Sequence, residues 1–458
     1  MMNSNCFPRL LRLGAGLTLL AALSAFAVRA AQAQAPTAPQ RLTIGDAARL
    51  AAKQTAAVQS ANLGVDQSRA RVNEAKSALL PQVVATPNWT DHTANSASFG
   101  FNFPAAPGEP PLLNPAGQVI GPVKGWDFRG NLQQIVYDPQ AKQRVTTARA
   151  GVDAASAQVS ATAEGAATNA ASMYVSALRD EAALQARVAD STLAAELLGI
   201  ARDQLSAGVG VGLDVTRAAS QLAGARSQLI TARNNRDRSH LALLRALNLP
   251  LDTRLELADS LASVSPEATD ENAAVDVAMR TRPDLRAADA QLALAQQQVA
   301  SIRAGRLPSL GVFGNSGANG YIDHLLNTYT YGVQLTWSVL DGGRRNAETQ
   351  AQQAAARQID VQRRDLRQQV QLDVRTALLD ITTAREAVDA ARVRQTLAEQ
   401  EVQQARDRFR AGVASNADVA TASLTLNAAR TALVDALASY QGARVSLARA
   451  EGNVTQLR

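Results

Sequence analysis

The chain contains two copies of one unit, and this duplication constrains its fold more than any other feature of the sequence. The turn sequence QLSAGVGVGLDV at 204–215 recurs 204 residues later as RFRAGVASNADV at 408–419. Asp138 corresponds to Asp341 at an offset of 203, whereas Pro81 corresponds to Pro308 at an offset of 227. A single duplication with an insertion in the first copy accounts for all three offsets. It predicts one architecture built twice rather than several unrelated domains.

Long tracts that are rich in alanine and free of proline predict helices on both sides of each repeated turn. In the second copy two residue series recur every seven positions, one mostly apolar and one entirely alanine. The series are Val374, Ile381, Val388, Gln395, Val402 and Phe409, and Ala377, Ala384, Ala391, Ala398 and Ala405. A strict seven-residue repeat indicates supercoiled, antiparallel helices whose axes approach closely at alanine. A helix from Gly342 to Arg410 would be about 100 Å long, which suits a tube or a spacer better than a globular core.

Aromatic residues are concentrated in two windows, 83–137 and 308–340, where they alternate with small polar residues. The alternation predicts strands with one apolar, aromatic face, each preceded by another strand at 82–90 or 309–317. The aromatic face is predicted to contain Trp126, Phe128, Tyr329, Tyr331 and Trp337. A half-buried sheet packed on helices would also fit the alternation. An outer-membrane barrel is favoured, because the second face has no core partner and the strands are long enough to cross a bilayer.

Four strands cannot close a barrel, and an open sheet edge is not tolerated in lipid. The sequence therefore predicts an oligomer that shares one barrel among its subunits. No segment after the N-terminal region has the uninterrupted apolar length of a membrane-spanning helix.

The N-terminal region has the pattern of a secretory signal peptide. Arg9 and Arg12 precede an apolar run over residues 13–28, which is followed by an A-x-A cleavage site at 31–33. Cys6, the one cysteine, would be removed with the signal, so the exported chain is expected to have no thiol. The net charge is only +6 and the charged residues are interspersed, which argues against nucleic-acid binding.

These observations predict the following organisation. Residues 1–33 are the signal peptide. The first repeat covers 34–250, with a β-hairpin at 82–137 and a long helical hairpin at 139–249, and an equatorial linker follows at 251–283. The second repeat covers 284–452, with a β-hairpin at 308–340 and a helical hairpin at 342–451, and 453–458 form a tail.

Several motifs, taken in this order along the chain, resemble the outer membrane efflux protein family, the TolC-like channels of Gram-negative bacteria. They are Arg282-Pro283-Asp284-Leu285, Leu307-Pro308, WSVLDGGRR at 337–345, and Arg410-Ala411-Gly412 leading to Asp418-Val419. The resemblance implies a mainly α fold with a small β part, assembled as a homotrimer. Duplicated coiled-coil hairpins would form a trimeric α-barrel, and four strands per chain would contribute to a 12-stranded barrel in outer-membrane lipid.

The resemblance also implies roles for the two turns. Gly208, Val209, Gly412 and Val413 would be the periplasmic tips that contact an adaptor (membrane fusion) protein. Asp214 and Asp418 would lie near the constricted entrance, where carboxylates repel one another and favour cations. An ordinary helix N-cap explains each aspartate equally well, and the two roles are compatible. Phe409 has no hydroxyl and Ala414 no charge where the family has polar locking groups, which puts closure by the same bonds in doubt.

The implied function is an outer-membrane channel of a tripartite efflux or type I secretion system. It would extend into the periplasm and accept substrates through the adaptor from an inner-membrane pump of the resistance-nodulation-division (RND) or ABC type. The sequence predicts no enzyme, catalytic residue, cofactor or metal site: His92, His240 and His324 lack metal-ligand spacing. The alternative is a periplasmic coiled-coil adaptor or scaffold without a pore. An adaptor would be expected to have one hairpin between split β-domains, not two hairpins and duplicated strands.

Overall fold

The computed structural model describes residues 40–99, 116–261 and 270–457. The predicted signal peptide, with Cys6, and much of the Pro-rich insertion in the first copy lie outside the described residues. The helices are α1 (Ile44–Gln54), α2 (Ala56–Ser77), α3 (Pro139–Ser206), α4 (Gly212–Ala246), α5 (Glu271–Thr281), α6 (Pro283–Ala304), α7 (Arg344–Arg410) and α8 (Asn416–Glu451). The strands are β1 (Gln40–Leu42), β2 (Gln82–Asn95), β3 (Val119–Tyr137), β4 (Leu255–Leu257), β5 (Ser309–Tyr321) and β6 (His324–Thr336).

Two long helical hairpins, α3–α4 and α7–α8, dominate the molecule. Helix α3 has 68 residues and α7 has 67, so each is about 100 Å long. Helix α3 begins where the sequence predicts: the Asp138 carboxylate accepts hydrogen bonds from the backbone N–H groups of Gln140 and Ala141, and Pro139 occupies the first turn. None of the helices in the described ranges is long and apolar enough to cross a lipid bilayer.

Helix α7 begins two residues later than the predicted start at Gly342. Gly342 and Gly343 adopt left-handed φ angles of 63° and 85°, which continue the chain reversal before the helix. The Asp341 carboxylate still accepts hydrogen bonds from the backbone N–H groups of Gly343 and Arg345, at 3.2 and 3.3 Å. The carboxylate therefore stabilises the helix start from outside the helix.

The seven-residue series forms the packed face of the second hairpin, as predicted. On α7 the buried members are Val374, Ala377, Val388, Ala398, Val402 and Phe409, and the remaining members are half-buried. On α8 the same pattern continues with the buried residues Val419, Ala422, Leu426 and Ala429. Most of the other surface of α7 is exposed. The helix is therefore stabilised along one narrow seam rather than by a surrounding core.

The four long strands form one antiparallel sheet in the order β2-β3-β5-β6. Strands β2 and β5 are longer than the predicted segments, at 14 and 13 residues. Strand β6 ends at Thr336, so the alternation that continues to Val339 in the sequence extends beyond the strand. Among the described residues β2 and β6 each pair on one side only, which leaves two open edges.

Near the middle of α3, a larger apolar cluster packs beside β1 and β4, which form a short parallel pair. Tyr174 of α3 is fully buried there, and its hydroxyl donates to the Leu42 carbonyl oxygen at 2.8 Å. Burial raises the pKa of this phenol. Arg282, at the start of the Arg-Pro-Asp-Leu motif, is also buried and contacts Asp284, Asp373 and the carbonyl oxygen of Ala450. This motif therefore ties α6, α7 and the end of α8 together.

Candidate functional site

The two repeated turns have the same backbone structure at the ends of α3 and α7. In the second turn the N–H of Gly412 donates to the Phe409 carbonyl at 3.0 Å, and the N–H of Val413 donates to the Arg408 carbonyl at 3.0 Å. This pair of bonds is the Schellman motif, which requires a left-handed residue after the helix. Gly412 has φ of 71°, and Gly208 has φ of 75° in the equivalent position of the first turn.

The valine after each turn glycine points into solvent. Val209 is 79% exposed and Val413 is 67% exposed, and the nearby Val211 and Leu213 are also exposed. Aliphatic side chains that are exposed to water at the end of a long hairpin do not contribute hydrophobic stabilisation to the folded chain. Their exposure makes each tip a suitable surface for a protein partner.

The predicted entrance aspartates lie in the first turns of α4 and α8. Neither is the N-cap residue, so the N-cap interpretation was wrong in detail: the N-caps are Val211 and Ser415, three residues earlier. The Asp418 carboxylate completes a capping box, accepting from the backbone N–H of Ser415 at 3.0 Å and from its hydroxyl at 3.2 Å. Val211 has no hydroxyl, so Asp214 cannot form the second of these bonds, and in the described structure α4 begins without a capping box.

The two tips contact each other through side chains that the sequence did not single out. The Gln204 amide, on α3, donates to the carbonyl oxygen of Phe409 at 2.6 Å. The Asn416 amide, on α8, donates to the carbonyl oxygen of Asp214 at 3.0 Å. Each bond joins one hairpin to the other. No sequence signal reveals them, because an amide in a polar turn has the same pattern whether its partner is water or a distant backbone group.

Phe409 is almost fully buried between the two hairpins, with 3% of its surface exposed. The apolar cluster around it contains residues of the other three long helices, namely Leu197, Leu198, Ala201, Ala218, Leu222 and Val419. Ala414 is half-buried in the turn itself. The absence of a hydroxyl at position 409 is therefore consistent with an apolar environment.

A buried ionic cluster joins the hairpins further from the tips, and it too was missed at the sequence level. The Asp190 carboxylate of α3 accepts from Arg187 at 3.0 Å and from Arg430 of α8 at 2.8 Å. Asn427, with its amide nitrogen oriented toward the carboxylate, lies 2.6 Å from it. Only 1% of the Asp190 side chain is exposed.

At the other end of the molecule, the sheet register places the predicted aromatic residues of its strands on one face. Trp126 lies opposite Trp89, with ring centroids 6.4 Å apart, and stacks on Phe128 at 5.7 Å. Tyr329 and Tyr331 stack at 6.1 Å, and Tyr331 lies in the row of Gly314, Leu132 and Val83. Trp337 lies one residue beyond β6, and its indole N–H donates to the Arg306 carbonyl at 3.2 Å.

The opposite face of the sheet is mainly polar. Asn131, Asn315 and Thr330 form one cross-strand row, and the neighbouring row contains Thr86 and Arg129. Its exceptions include Val84 in the first of these rows, Leu326, and Phe313, whose ring lies over Gly332. An apolar, aromatic face and a polar face on strands of 13 to 19 residues are typical of strands in an outer-membrane barrel.

Comparison with known proteins identifies the family. The family model described as "Outer membrane efflux protein" matches residues 47–249 and 274–453. The chain belongs to the outer membrane efflux protein family. No curated protein sequence matches it significantly.

Solved structures of outer-membrane channels share its fold. The Campylobacter jejuni CmeC outer membrane channel has a TM-score of 0.72 and 17% identity, and the match covers 90% of this chain and 85% of CmeC. The outer membrane protein VceC of Vibrio cholerae has a TM-score of 0.69 and 16% identity, covering 89% of this chain and 96% of VceC. The Neisseria gonorrhoeae MtrE outer membrane channel in its open state has a TM-score of 0.68 and 18% identity, and the match covers 90% of this chain and 89% of MtrE.

The predicted fold class and location are thereby confirmed. This efflux protein is mainly α, with two long hairpins for an α-barrel and four strands for an outer-membrane β-barrel, and it extends from the outer membrane into the periplasm. Its function is that of an outer-membrane efflux channel. The family and these structures are channels rather than enzymes, and nothing in them supports the alternative of a periplasmic adaptor.

Proposed function

We propose that this efflux protein works as a homotrimer, the outer-membrane component of a tripartite efflux or type I secretion system. Substrates enter from an inner-membrane RND or ABC pump through a periplasmic adaptor protein. The observation that carries the proposal is the continuity of the open four-stranded sheet with two hairpins about 100 Å long. The sheet is the membrane part of the channel, and the hairpins conduct substrate across the periplasm.

The trimer follows from the open edges of the sheet. Unpaired backbone N–H and C=O groups on β2 and β6 are costly in lipid, and pairing β6 of one subunit with β2 of the next removes both edges. Three chains of four strands give twelve strands, which is within the range of known outer-membrane barrels.

The exposed valines of the tips support adaptor binding there, together with the turn glycines Gly208 and Gly412. In a trimer Asp214 and Asp418 provide six carboxylates near the entrance. Their mutual repulsion and their attraction for cations suit them to control what enters the channel.

The adaptor contact is tested by replacing both tip valines, Val209→Asp and Val413→Asp, and measuring adaptor co-purification and substrate export. We expect both to fall strongly while the trimer still assembles, because the charges face solvent in the free tip. Val119→Asp is the matched control, since Val119 is similarly exposed at the far end of β3. Unchanged export by the double variant would refute the docking role. Recovery of the wild type as a soluble periplasmic monomer would refute the channel.

A further inference from the structure

We propose that Gln204 and Asn416 form an uncharged latch that holds the two hairpin tips of one chain together and keeps the periplasmic entrance closed. The inference rests on the proposed function, because it assumes that the tips are the entrance. It differs from a gate formed by the aspartates, since both latch side chains are amides. Their hydrogen bonds do not depend on a charge that titrates or is screened by salt.

The first half of the latch joins the ends of α3 and α7. Gln204 lies in the last turn of α3, and its amide nitrogen is 2.6 Å from the Phe409 carbonyl oxygen. That oxygen also accepts the Gly412 N–H at 3.0 Å. The Gln204 amide therefore binds the second hairpin at the Phe409 carbonyl, which is also an acceptor of the Schellman motif in that turn.

The second half joins the starts of α8 and α4 in the reverse direction. Asn416 is fully buried, and its amide nitrogen is 3.0 Å from the Asp214 carbonyl oxygen. Within the described part of the chain its Oδ1 atom is buried and receives no hydrogen bond. A buried polar side chain that uses only its donor is favourable here only because of the bond across the hairpins. Asn416 therefore serves the contact between tips rather than the local stability of α8.

The apolar cluster around Phe409 makes the latch cooperative. Phe409 contacts residues of the first hairpin, so separating the tips would expose its ring together with the Asn416 amide. The entrance cannot widen by a relative movement of the hairpins unless both hydrogen bonds break. The closed state is thus held by two amide bonds and one buried ring, beside one charged contact, the ion pair of Arg406 on α7 with Glu196 on α3 at 3.2 Å.

The latch positions are not equivalent in the duplication. The counterpart of Gln204 in the second turn is Arg408, and the counterpart of Asn416 in the first turn is Gly212, which has no side chain to donate a bond. The two copies therefore diverged at these positions, and each supplies one donor to the other. This also explains how a tip with Phe409 and Ala414 closes without the polar groups expected at those positions.

The test uses the full-length protein, purified from outer membranes as the assembled channel, in planar lipid bilayers. Gln204→Met and Asn416→Leu keep the approximate size of each side chain but remove its donor. We expect each to raise the open probability at least two- to tenfold, the effect of one net hydrogen bond, because the trimer loses one such bond in each of its three chains. The double variant should raise it further. Gln59→Met is the control, because Gln59 is exposed on α2, far from the tips, and its amide donates to the nearby Gln54 carbonyl at 2.9 Å.

A second variant gives the latch a signature that a general loss of stability cannot produce. In Gln204→Glu the carboxylate at about pH 7 has no proton to donate to the Phe409 carbonyl, whereas at about pH 3.5 most of the side chain is the acid form, which has one. We expect this channel to open more than the wild type at neutral pH and to close again on acidification. The flanking charged groups are common to all variants, so the wild type and Gln204→Met report their contribution. These groups are Glu196, Asp203, Asp214, Arg406, Asp407, Arg408, Arg410 and Asp418.

The outcomes separate the two proposals. Wild-type conductance from the assembled Gln204→Met and Asn416→Leu channels, or no extra pH response in Gln204→Glu, would overturn the latch and leave the channel intact. A protein that conducts neither as the wild type nor as the Gln204→Met and Asn416→Leu double variant would refute the proposed function and the latch together. If the Met variant assembles poorly, the Glu variant suffices, because a single preparation is measured at both pH values.

Discussion

At the scale of single residues, the turn glycines are required by backbone conformation and not by space. Gly208 and Gly412 have positive φ, yet no atom lies within 4 Å of the position that a Cβ would take at either residue. Any L side chain there is strained even though it would not clash. A large substitution such as Gly412→Trp therefore disturbs the turn as well as the docking surface. The valine variants give the cleaner test of docking.

Because Gly412 has a positive φ and Gly199 is helical, replacing each glycine by alanine should change the stability of the protein in opposite directions. Gly412→Ala should destabilise the protein by about 1 kcal/mol, because alanine is strained at positive φ. Gly199→Ala, in the interior of α3 with no atom near its Cβ position, should stabilise it by about 0.5–1 kcal/mol. Thermal unfolding followed by circular dichroism of the helices measures both. Equal effects at the two sites would contradict the conformational account.

Glu164 provides a prediction about pH. Burial raises the pKa of this carboxyl above its usual value of 4.5, although it accepts the Val454 N–H at 2.9 Å. The folded state therefore binds the proton more tightly, and the stability due to Glu164 is present at low pH and lost as pH rises through the folded pKa. Glu164→Gln keeps the acceptor and avoids this loss. We expect its melting temperature to exceed that of the wild type at pH 7.5 and the difference to vanish below pH 4.5; a constant difference would contradict the assignment.

At the scale of helices and strands, regular patterns were predictable and single tertiary partners were not. The seam from Val374 to Phe409 and the alternation through Tyr329 and Tyr331 predicted helices and strands, because each pattern repeats many times. The start of α7 was misplaced, since only the backbone shows that Gly342 and Gly343 continue the turn.

The partners across the hairpins left no trace in the sequence. Asp190 looks like any charge on a helix surface, and Gln204 and Asn416 look like ordinary polar residues of a turn. Their roles depend on the rotation and register of one hairpin against the other, which arise only on packing. Helix α5 is a similar case, because it occupies part of a segment that was predicted as a linker.

Two ion pairs between α3 and α8 allow a matched test of the buried cluster. Asp190→Ala leaves Arg430 and Arg187 without their carboxylate in a largely buried setting and should cost about 3 kcal/mol. Asp435→Ala removes the exposed pair between Arg179 and Asp435, 2.8 Å apart, and should cost less than about 1 kcal/mol. Chemical denaturation of both variants measures the difference. Similar losses would show that the cluster is no more important than a surface pair.

At the scale of the whole molecule, the two faces of the sheet decide how it sits in the membrane. Tyr331 is on the apolar face and its neighbour Thr330 is on the polar face. In the proposed trimeric barrel the apolar face would meet lipid and the polar face would line the channel. The long hairpins then extend away from the membrane, because α3 continues directly from β3.

The two faces predict opposite responses to a charge at adjacent residues. Tyr331→Lys places an ammonium group in lipid and should destabilise the barrel by about 2–4 kcal/mol if the residue lies near the bilayer midplane. Thr330→Lys places the same group in the aqueous lumen and should leave assembly unchanged. The yield of trimer from outer membranes, compared at equal expression, measures both. If Thr330→Lys lowered the yield of trimer and Tyr331→Lys did not, the polar face rather than the aromatic face would be the one in contact with lipid.

The ion selectivity of the purified protein in planar bilayers tests the central claim most directly. We predict a trimer that conducts and prefers cations, and we expect this preference to fall when Asp214→Asn and Asp418→Asn remove the six carboxylates proposed to lie at the entrance. Inserted protein that conducts neither as the wild type nor as the Gln204→Met and Asn416→Leu double variant would contradict the assignment as a channel. Unchanged selectivity in the double variant would contradict the position of the entrance at the two hairpin tips.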